Sequence, residues 1–116
     1  MDALKRIEGT LAASAHQSHA YGDGACLYFT FAGLPGDSAD DYYVRAWDAV
    51  MDVTQQHGGA LSHHHGIGLN RGRMMAAAHG RAFDILVGLK DQLDPHGILN
   101  PGKLGLPSPF GAAPWP

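Results

Sequence analysis

A single cysteine, Cys26, stands in the 116 residues, so no intrachain disulfide can form and no cysteine-based zinc module can be built. Charge is scarce as well. Only 16% of the residues are Asp, Glu, Lys or Arg, and the eight Lys and Arg form no basic block. With a formal charge of −3 the chain lacks the electrostatic footprint of a nucleic-acid binder or of a protein held on an anionic membrane. No run approaches the roughly 20 apolar residues of a transmembrane helix, and no apolar signal core follows a basic start. A reducing compartment, the cytoplasm, is the default expectation. Apolar residues make up 45% of the chain, which excludes a charged disordered segment and points to a globular domain or part of one.

Turn signals divide the chain into a few elements. Residues 3 to 8 read as the end of a helix and 10 to 20 as an extended run. The stretch "ACLYFTFAG", residues 25 to 33, is rich in aromatic and β-favouring residues and lies between Gly22-Asp23-Gly24 and Gly33-Leu34-Pro35-Gly36. Its continuous apolar character predicts a strand buried on both faces. Asp37 or Ser38 can cap a helix in which Tyr43, Trp47, Val50, Met51 and Thr54 form one apolar stripe, and Gly58-Gly59 should end it. A second helix is expected from about Met74 to Leu93, with Phe83, Leu86, Leu89 and Leu93 as its stripe and Gly80 and Gly88 as weak points. Asp94-Pro95 and Asn100-Pro101-Gly102 should stop it. "GLPSPFGAAPWP" then reads as a Pro-rich tail, loose or docked. The order predicts an α+β fold. So few strands leave sheet edges open, which suggests a longer polypeptide or pairing with another chain.

Three stretches carry chemistry. In "LSHHHGIG", His63, His64 and His65 precede a glycine-flanked turn. On an extended chain His63 and His65 point one way and His64 the other, and on a helix the three spread about 100° apart, so they do not converge on one ion unaided. A metal site would need a fourth group from His16, His19 or Asp23. Gly58-Gly59 behind and Gly66-Ile67-Gly68 ahead allow close approach of a flat or anionic ligand, and Arg71 and Arg73 could hold a phosphate or carboxylate. In "HQSHAYGDGACLYF", His19 and Tyr21 share a face of an extended chain; Tyr21 is either a proton acceptor among imidazoles or an amphipathic packing residue. In "DPHGILNPGKL", Asn100 offers amide groups on a rigid turn, though helix termination explains the same residues.

Taken together, "SHAYGDGACLYFTF", "GGALSHHHGIG" and "LKDQLDPHGILNPGKL" resemble the C-terminal part of the FAD-linked oxidases of the vanillyl-alcohol oxidase type. The hydroxy-acid enzymes of that superfamily usually read Glu-His-Gly-Ile-Gly in the histidine loop and His-x-Gly-Asp-Gly-Asn before the strand. Here His64 stands for the Glu, Tyr21 precedes Gly22-Asp23-Gly24, and Ala25 stands for the Asn. Triple His with that Tyr is similar to the alkyldihydroxyacetonephosphate synthase branch.

The resemblance implies residues 1–105 as a partial FAD-linked oxidase C-terminal domain, antiparallel strands packed with about two helices, and 106–116 as the tail. It implies exchange of an acyl for an alkyl group on dihydroxyacetone phosphate, as in ether-lipid synthesis, with FAD held mainly by an N-terminal domain upstream of this chain. Tyr21 would remove the substrate C1 proton. His63, His64 and His65 would bind and polarise the reacting head, Asn100 and Lys103 would meet the flavin, and His19 and Arg71 would contact the substrate. No metal is implied. The expected partners are FAD and a small or lipid-like substrate, with a homo-oligomer left open. The chain alone should be inactive. Two other readings remain: the same segment of an FAD-dependent 2-hydroxy-acid dehydrogenase or oxidase, and a non-catalytic, His-rich metal-binding module.

Overall fold

The structure, a computed structural model, describes residues 1–36 and 38–112. It is α+β and falls into two units, Met1–Gly59 and a second beginning at Ala60. No helix among the described residues is long and apolar enough to cross a membrane.

The first unit opens with a short helix, α1 (Asp2–Lys5), which buries Leu4 and packs against α2 and β1. Strands β1 (Thr10–Tyr21) and β2 (Gly24–Gly33) form a two-stranded antiparallel sheet, joined by the two-residue connection Gly22-Asp23. The strand expected at residues 25 to 33 is therefore present. Its expected burial is not: Cys26 is 6% exposed, but Leu27 is 53% exposed and Phe29 is open as well. An apolar run is buried on both faces only when layers cover both, and no third strand pairs with this ribbon among the described residues.

Helix α2 (Ala39–Gln56) starts where the sequence signals it. Ser38 is extended and its Oγ accepts from the backbone N–H of Asp41 at 3.1 Å, with Asp40 and Asp41 favourably placed in the first turn. Asp37, the other cap considered, lies outside the described residues. The stop is a Schellman arrangement: Gly58 has φ +70, its N–H donates to Gln55 O at 2.9 Å, and Gly59 N–H donates to Thr54 O at 2.8 Å. Of the expected stripe Met51 is buried, Trp47, Val50 and Thr54 are half-buried and Tyr43 is exposed, while Tyr42 and Ala46 are buried in addition.

In the second unit the long helix expected from Met74 divides at Gly80 into α4 (Met75–His79) and α5 (Arg81–Leu93). Gly80 adopts φ +50, ψ −128, a conformation that a helix interior cannot contain and that glycine reaches without a Cβ penalty. Gly88, the other weak point, stays helical. Leu89 and Leu93 of the expected stripe are exposed, and no residue of α5 is buried.

A further short helix, α3 (Gly68–Gly72), packs against a 3-10 turn at Lys103–Gly105, which also contacts α4. A Cβ at Gly105 would collide with Gly72 O, so two glycines allow this close approach of backbones. Of the Pro-rich tail, residues 106 to 112 are described; there Gly111 N–H donates to Ser108 O and Phe110 N–H to Ser108 Oγ. Residues 113 to 116 of that tail lie outside the described residues.

Candidate functional site

The end of the hairpin gathers aromatic and imidazole rings on one face through an irregularity in pairing. His16 pairs with Tyr28, Gln17 with Leu27, and His19 with Cys26, which leaves Ser18 as an extra residue in β1. In a regular strand His16 and His19, three positions apart, would point to opposite faces. The extra residue changes the parity, so the partners of Gly24, Cys26 and Tyr28, namely Tyr21, His19 and His16, share a face.

The ring geometry agrees. His16 stacks on Tyr28 with centroids 5.3 Å apart and 12° between planes, and His19 lies parallel to Tyr21 at 6.1 Å and 5°. Ser18 Oγ and His19 Nδ1 lie 2.6 Å apart in a hydrogen bond. Both His19 and Tyr21 are exposed.

The histidines of the second unit are neither extended nor helical. Residues 63 to 65 follow a bend that brings neighbouring rings together. His63 and His64 meet edge to face at 4.8 Å with Nδ1···Nδ1 at 2.5 Å, and His64 and His65 meet at 4.2 Å and 73°. A hydrogen bond between two imidazole nitrogens needs one ring to donate and the other to accept, so this pair holds one proton between two sites.

Arg71, half-buried in α3, donates from its guanidinium to Gly66 O at 3.3 Å and so ties the helix to the glycine turn after His65. Gly66 and Gly68 both have positive φ, 77° and 61°. Arg73 is committed similarly, with Nε donating to Asn70 O at 3.2 Å. Two polar atoms flanking the loop, Ser62 Oγ and Asn70 Oδ1, are buried with no hydrogen-bond partner among the described residues. Buried polar atoms left open are costly unless a ligand or water satisfies them, and neither residue stood out in the sequence.

Asn100 and Lys103 are exposed on the turn after α5. Asn100 has φ +48, and its carbonyl accepts from Lys103 N–H at 3.3 Å. The donor set here is the Asn100 carboxamide, backbone N–H groups and one ammonium. It suits the carbonyl- and nitrogen-rich edge of a neutral heterocycle such as the flavin ring.

The turn is fastened by residues that sequence reasoning treated only as a helix stop. Asp94, 7% exposed, caps α5. It accepts from Ile98 N–H at 3.1 Å, from Leu99 N–H at 2.9 Å and from the Lys90 ammonium. The Lys90 hydrogen bond holds the Asp94 carboxyl below its ordinary value of 3.8; burial opposes this, and the two backbone N–H groups add to the lowering. The i, i+4 spacing of Lys90 and Asp94 was the available signal.

A cavity of about 460 Å³ in this unit is lined by residues including Gly72, Arg73, Gly102 and Ser108. The histidines, Asn100 and Lys103 are not in its lining.

The model of the FAD linked oxidases, C-terminal domain, matches residues 1–104, and the chain belongs to this family. FAD is the family's cofactor. The chain is 44% identical over 96 residues to an alkyldihydroxyacetonephosphate synthase of Trypanosoma brucei brucei, covering 81% of this chain and 16% of that protein. It is 39% identical over 92 residues to the alkyldihydroxyacetonephosphate synthase of Dictyostelium discoideum, covering 78% and 15%. To an uncharacterized FAD-linked oxidoreductase of Escherichia coli (strain K12) it is 36% identical over 94 residues, covering 77% and 19%. The chain thus spans less than a fifth of the length of these relatives. No solved structure matches it.

Proposed function

We propose that the chain is the substrate- and flavin-contacting portion of an alkyldihydroxyacetonephosphate synthase-like enzyme, one that exchanges an acyl for an alkyl group on dihydroxyacetone phosphate. The observation that carries this reading is the stacking of Tyr21 with His19 on the bulged end of the hairpin, in a chain with alkyldihydroxyacetonephosphate synthases among its relatives. A phenol and an imidazole side by side bring two groups of the kind used for general acid–base catalysis to the same end of the hairpin.

In this reading Tyr21 accepts the C1 proton of the substrate. The His63–His64 pair binds the reacting head and relays protons, with His65 completing the polar wall. Arg71 holds the Gly66 turn and adds positive charge toward an anionic group. FAD, when bound, supplies the isoalloxazine ring that activates the substrate carbon. The exchange balances without external redox: the ester C–O bond breaks to release a fatty acid, and an ether C–O bond forms from a fatty alcohol.

One relative's printed name favours a second reading, an FAD-linked oxidoreductase without acyl exchange. The two divide on one assay of the full-length flavoprotein carrying this segment. Release of fatty acid coupled to incorporation of labelled fatty alcohol supports the synthase. Reduction of an electron acceptor by 2-hydroxy acids, without exchange, overturns it. The chain alone should be colourless and without turnover; purification with stoichiometric yellow flavin would overturn that part of the proposal.

A further inference from the structure

Asp94 and Lys90 do more than end a helix. The Asp94 carboxylate accepts two successive backbone N–H groups, those of Ile98 and Leu99, and Gly97 N–H donates to Asp94 O at 2.9 Å. The segment from Pro95 to Leu99 is therefore closed onto the end of α5 by its own backbone. Lys90 then makes two contacts with one ammonium: it donates to Asp94 Oδ2 and to the carbonyl oxygen of Leu99.

The second of these contacts has a geometric consequence. Leu99 O belongs to the peptide unit that also contains Asn100 N–H, and that unit is planar and trans. In a trans peptide the C=O and the N–H point in opposite directions. An ammonium that grips Leu99 O thus fixes the direction of Asn100 N–H, and aims it away from Lys90. Leu99 N–H, on the preceding peptide unit, is held by Asp94, so both peptides flanking Leu99 are pinned. Beyond them the chain turns through Asn100 at φ +48, a conformation that Asn tolerates better than most residues.

We propose that Lys90 and Asp94 are positioning residues that lock the Leu99–Asn100 peptide so that Asn100 N–H is presented as a hydrogen-bond donor to the acceptor edge of the flavin ring. The proposal rests on the reading of the Asn100 turn as flavin-facing. Lys90 acts through the Leu99 carbonyl and touches no ligand. Asp94 acts through Lys90 and the Ile98 and Leu99 amides. The carboxylate is needed because one group must accept two backbone donors and an ammonium together, which a neutral amide oxygen does less well.

The test has two arms. In the first, amide hydrogen exchange is measured by NMR on this chain for wild type, Lys90→Met, Lys90→Arg and Asp94→Asn. Methionine keeps the stem and helix propensity of lysine without the ammonium, so α5 should persist by circular dichroism. Loss of the clamp should speed exchange at Ile98 and Leu99 by about tenfold or more while the α2 amides hold their rates, and Lys90→Arg should restore most of the protection. Unchanged exchange at Ile98 and Leu99 in both Lys90→Met and Asp94→Asn overturns the clamp.

In the second arm the visible absorption spectrum and reduction potential of FAD are read in the full-length flavoprotein with Lys90→Met and Lys90→Arg. A shift in Lys90→Met that Lys90→Arg reverses supports presentation of Asn100 N–H to the ring. Faster exchange in the first arm with an unmoved flavin overturns the donor role and leaves the clamp standing. Failure of the synthase reading would show instead as absent acyl exchange with both arms intact, so the two failures are distinguishable.

Discussion

The ring of Tyr42 fills the space that a side chain at Gly33 would occupy, and its hydroxyl lies 3.0 Å from Thr10 Oγ1. Gly33 and Thr10 are paired residues at the base of the hairpin, so this one tyrosine, 6% exposed, fastens α2 to both strands. Phe31 adds an edge contact with ring centroids 6.4 Å apart. Gly33→Ala should force the phenol out of its place and destabilise the first unit by about 1–3 kcal/mol, as overpacking does. Tyr42→Phe keeps the ring and loses only the hydrogen bond, so it should cost about 1 kcal/mol. Urea unfolding of both variants measures the order. A Gly33→Ala chain as stable as wild type would show that the fit is loose.

Ser38 should contribute through its Oγ alone. Ser38→Ala removes the acceptor for Asp41 N–H and should lower stability by about 1 kcal/mol, while Ser38→Asp should retain most of it and add charge complementarity at the N-terminus of α2. Thermal unfolding followed by helical circular dichroism checks the pair. Equal loss in both variants would assign the effect to something other than the cap.

Why some of this was legible in the sequence and some was not follows from the range of the forces involved. The start of α2 at Ser38, its end at Gly58 and the stop at Asp94 depend on a few neighbouring residues, and the sequence reading placed them. The buried face of α2 depends on Gly33, remote in sequence, whose missing side chain makes room for Tyr42 and not for Tyr43. Burial of β2 was overestimated because apolar residues announce a covering layer without containing it.

Among the candidate site residues, the three histidines and the His19–Tyr21 pair stood out by residue type and spacing, while the roles proposed for them came from the family resemblance. The extra residue at Ser18 did not stand out, since a bulge exists only relative to a partner strand, and it decides which face His16 takes. The bend at the histidines escaped for a related reason: neither the helical nor the extended periodicity describes rings that meet through a local turn. Lys90 and Asp94 carried a helix-spacing signal, but the backbone donors that give it meaning lie beyond the helix.

The Asp94 contacts predict a pH dependence of fixed sign. Its folded-state pKa is held below the ordinary 3.8, first by the Lys90 hydrogen bond and then by the Leu99 and Ile98 amides. A carboxyl that binds its proton more weakly when folded stabilises the fold while ionised. The contribution is therefore complete above the unfolded value of 3.8, and it is lost as pH falls through the lower folded value. Asp94→Asn should be less stable than wild type at neutral pH, and the gap should narrow as the pH is lowered past that range. Denaturant titrations of both chains from pH 7 downward measure it, and a gap independent of pH would assign the loss to shape and not to charge.

The site makes its sharpest prediction at Tyr21. Tyr21→Phe removes one oxygen and keeps the ring that lies parallel to His19, so packing at the hairpin end should survive. In the full-length flavoprotein, turnover should fall by about 10²–10⁴-fold, the usual range for loss of a general acid–base group, with flavin content unchanged. His64→Ala removes the ring that touches both neighbours, and His65→Ala removes one of its contacts, so both should also be severe. His96 is exposed on the turn after α5, away in sequence from the histidine loop, and His96→Ala should leave turnover near wild type. Normal turnover in Tyr21→Phe would make the phenol a packing group. The proton would then have to go to an imidazole, and loss of activity confined to His63→Ala and His64→Ala would identify the hydrogen-bonded pair as the acceptor.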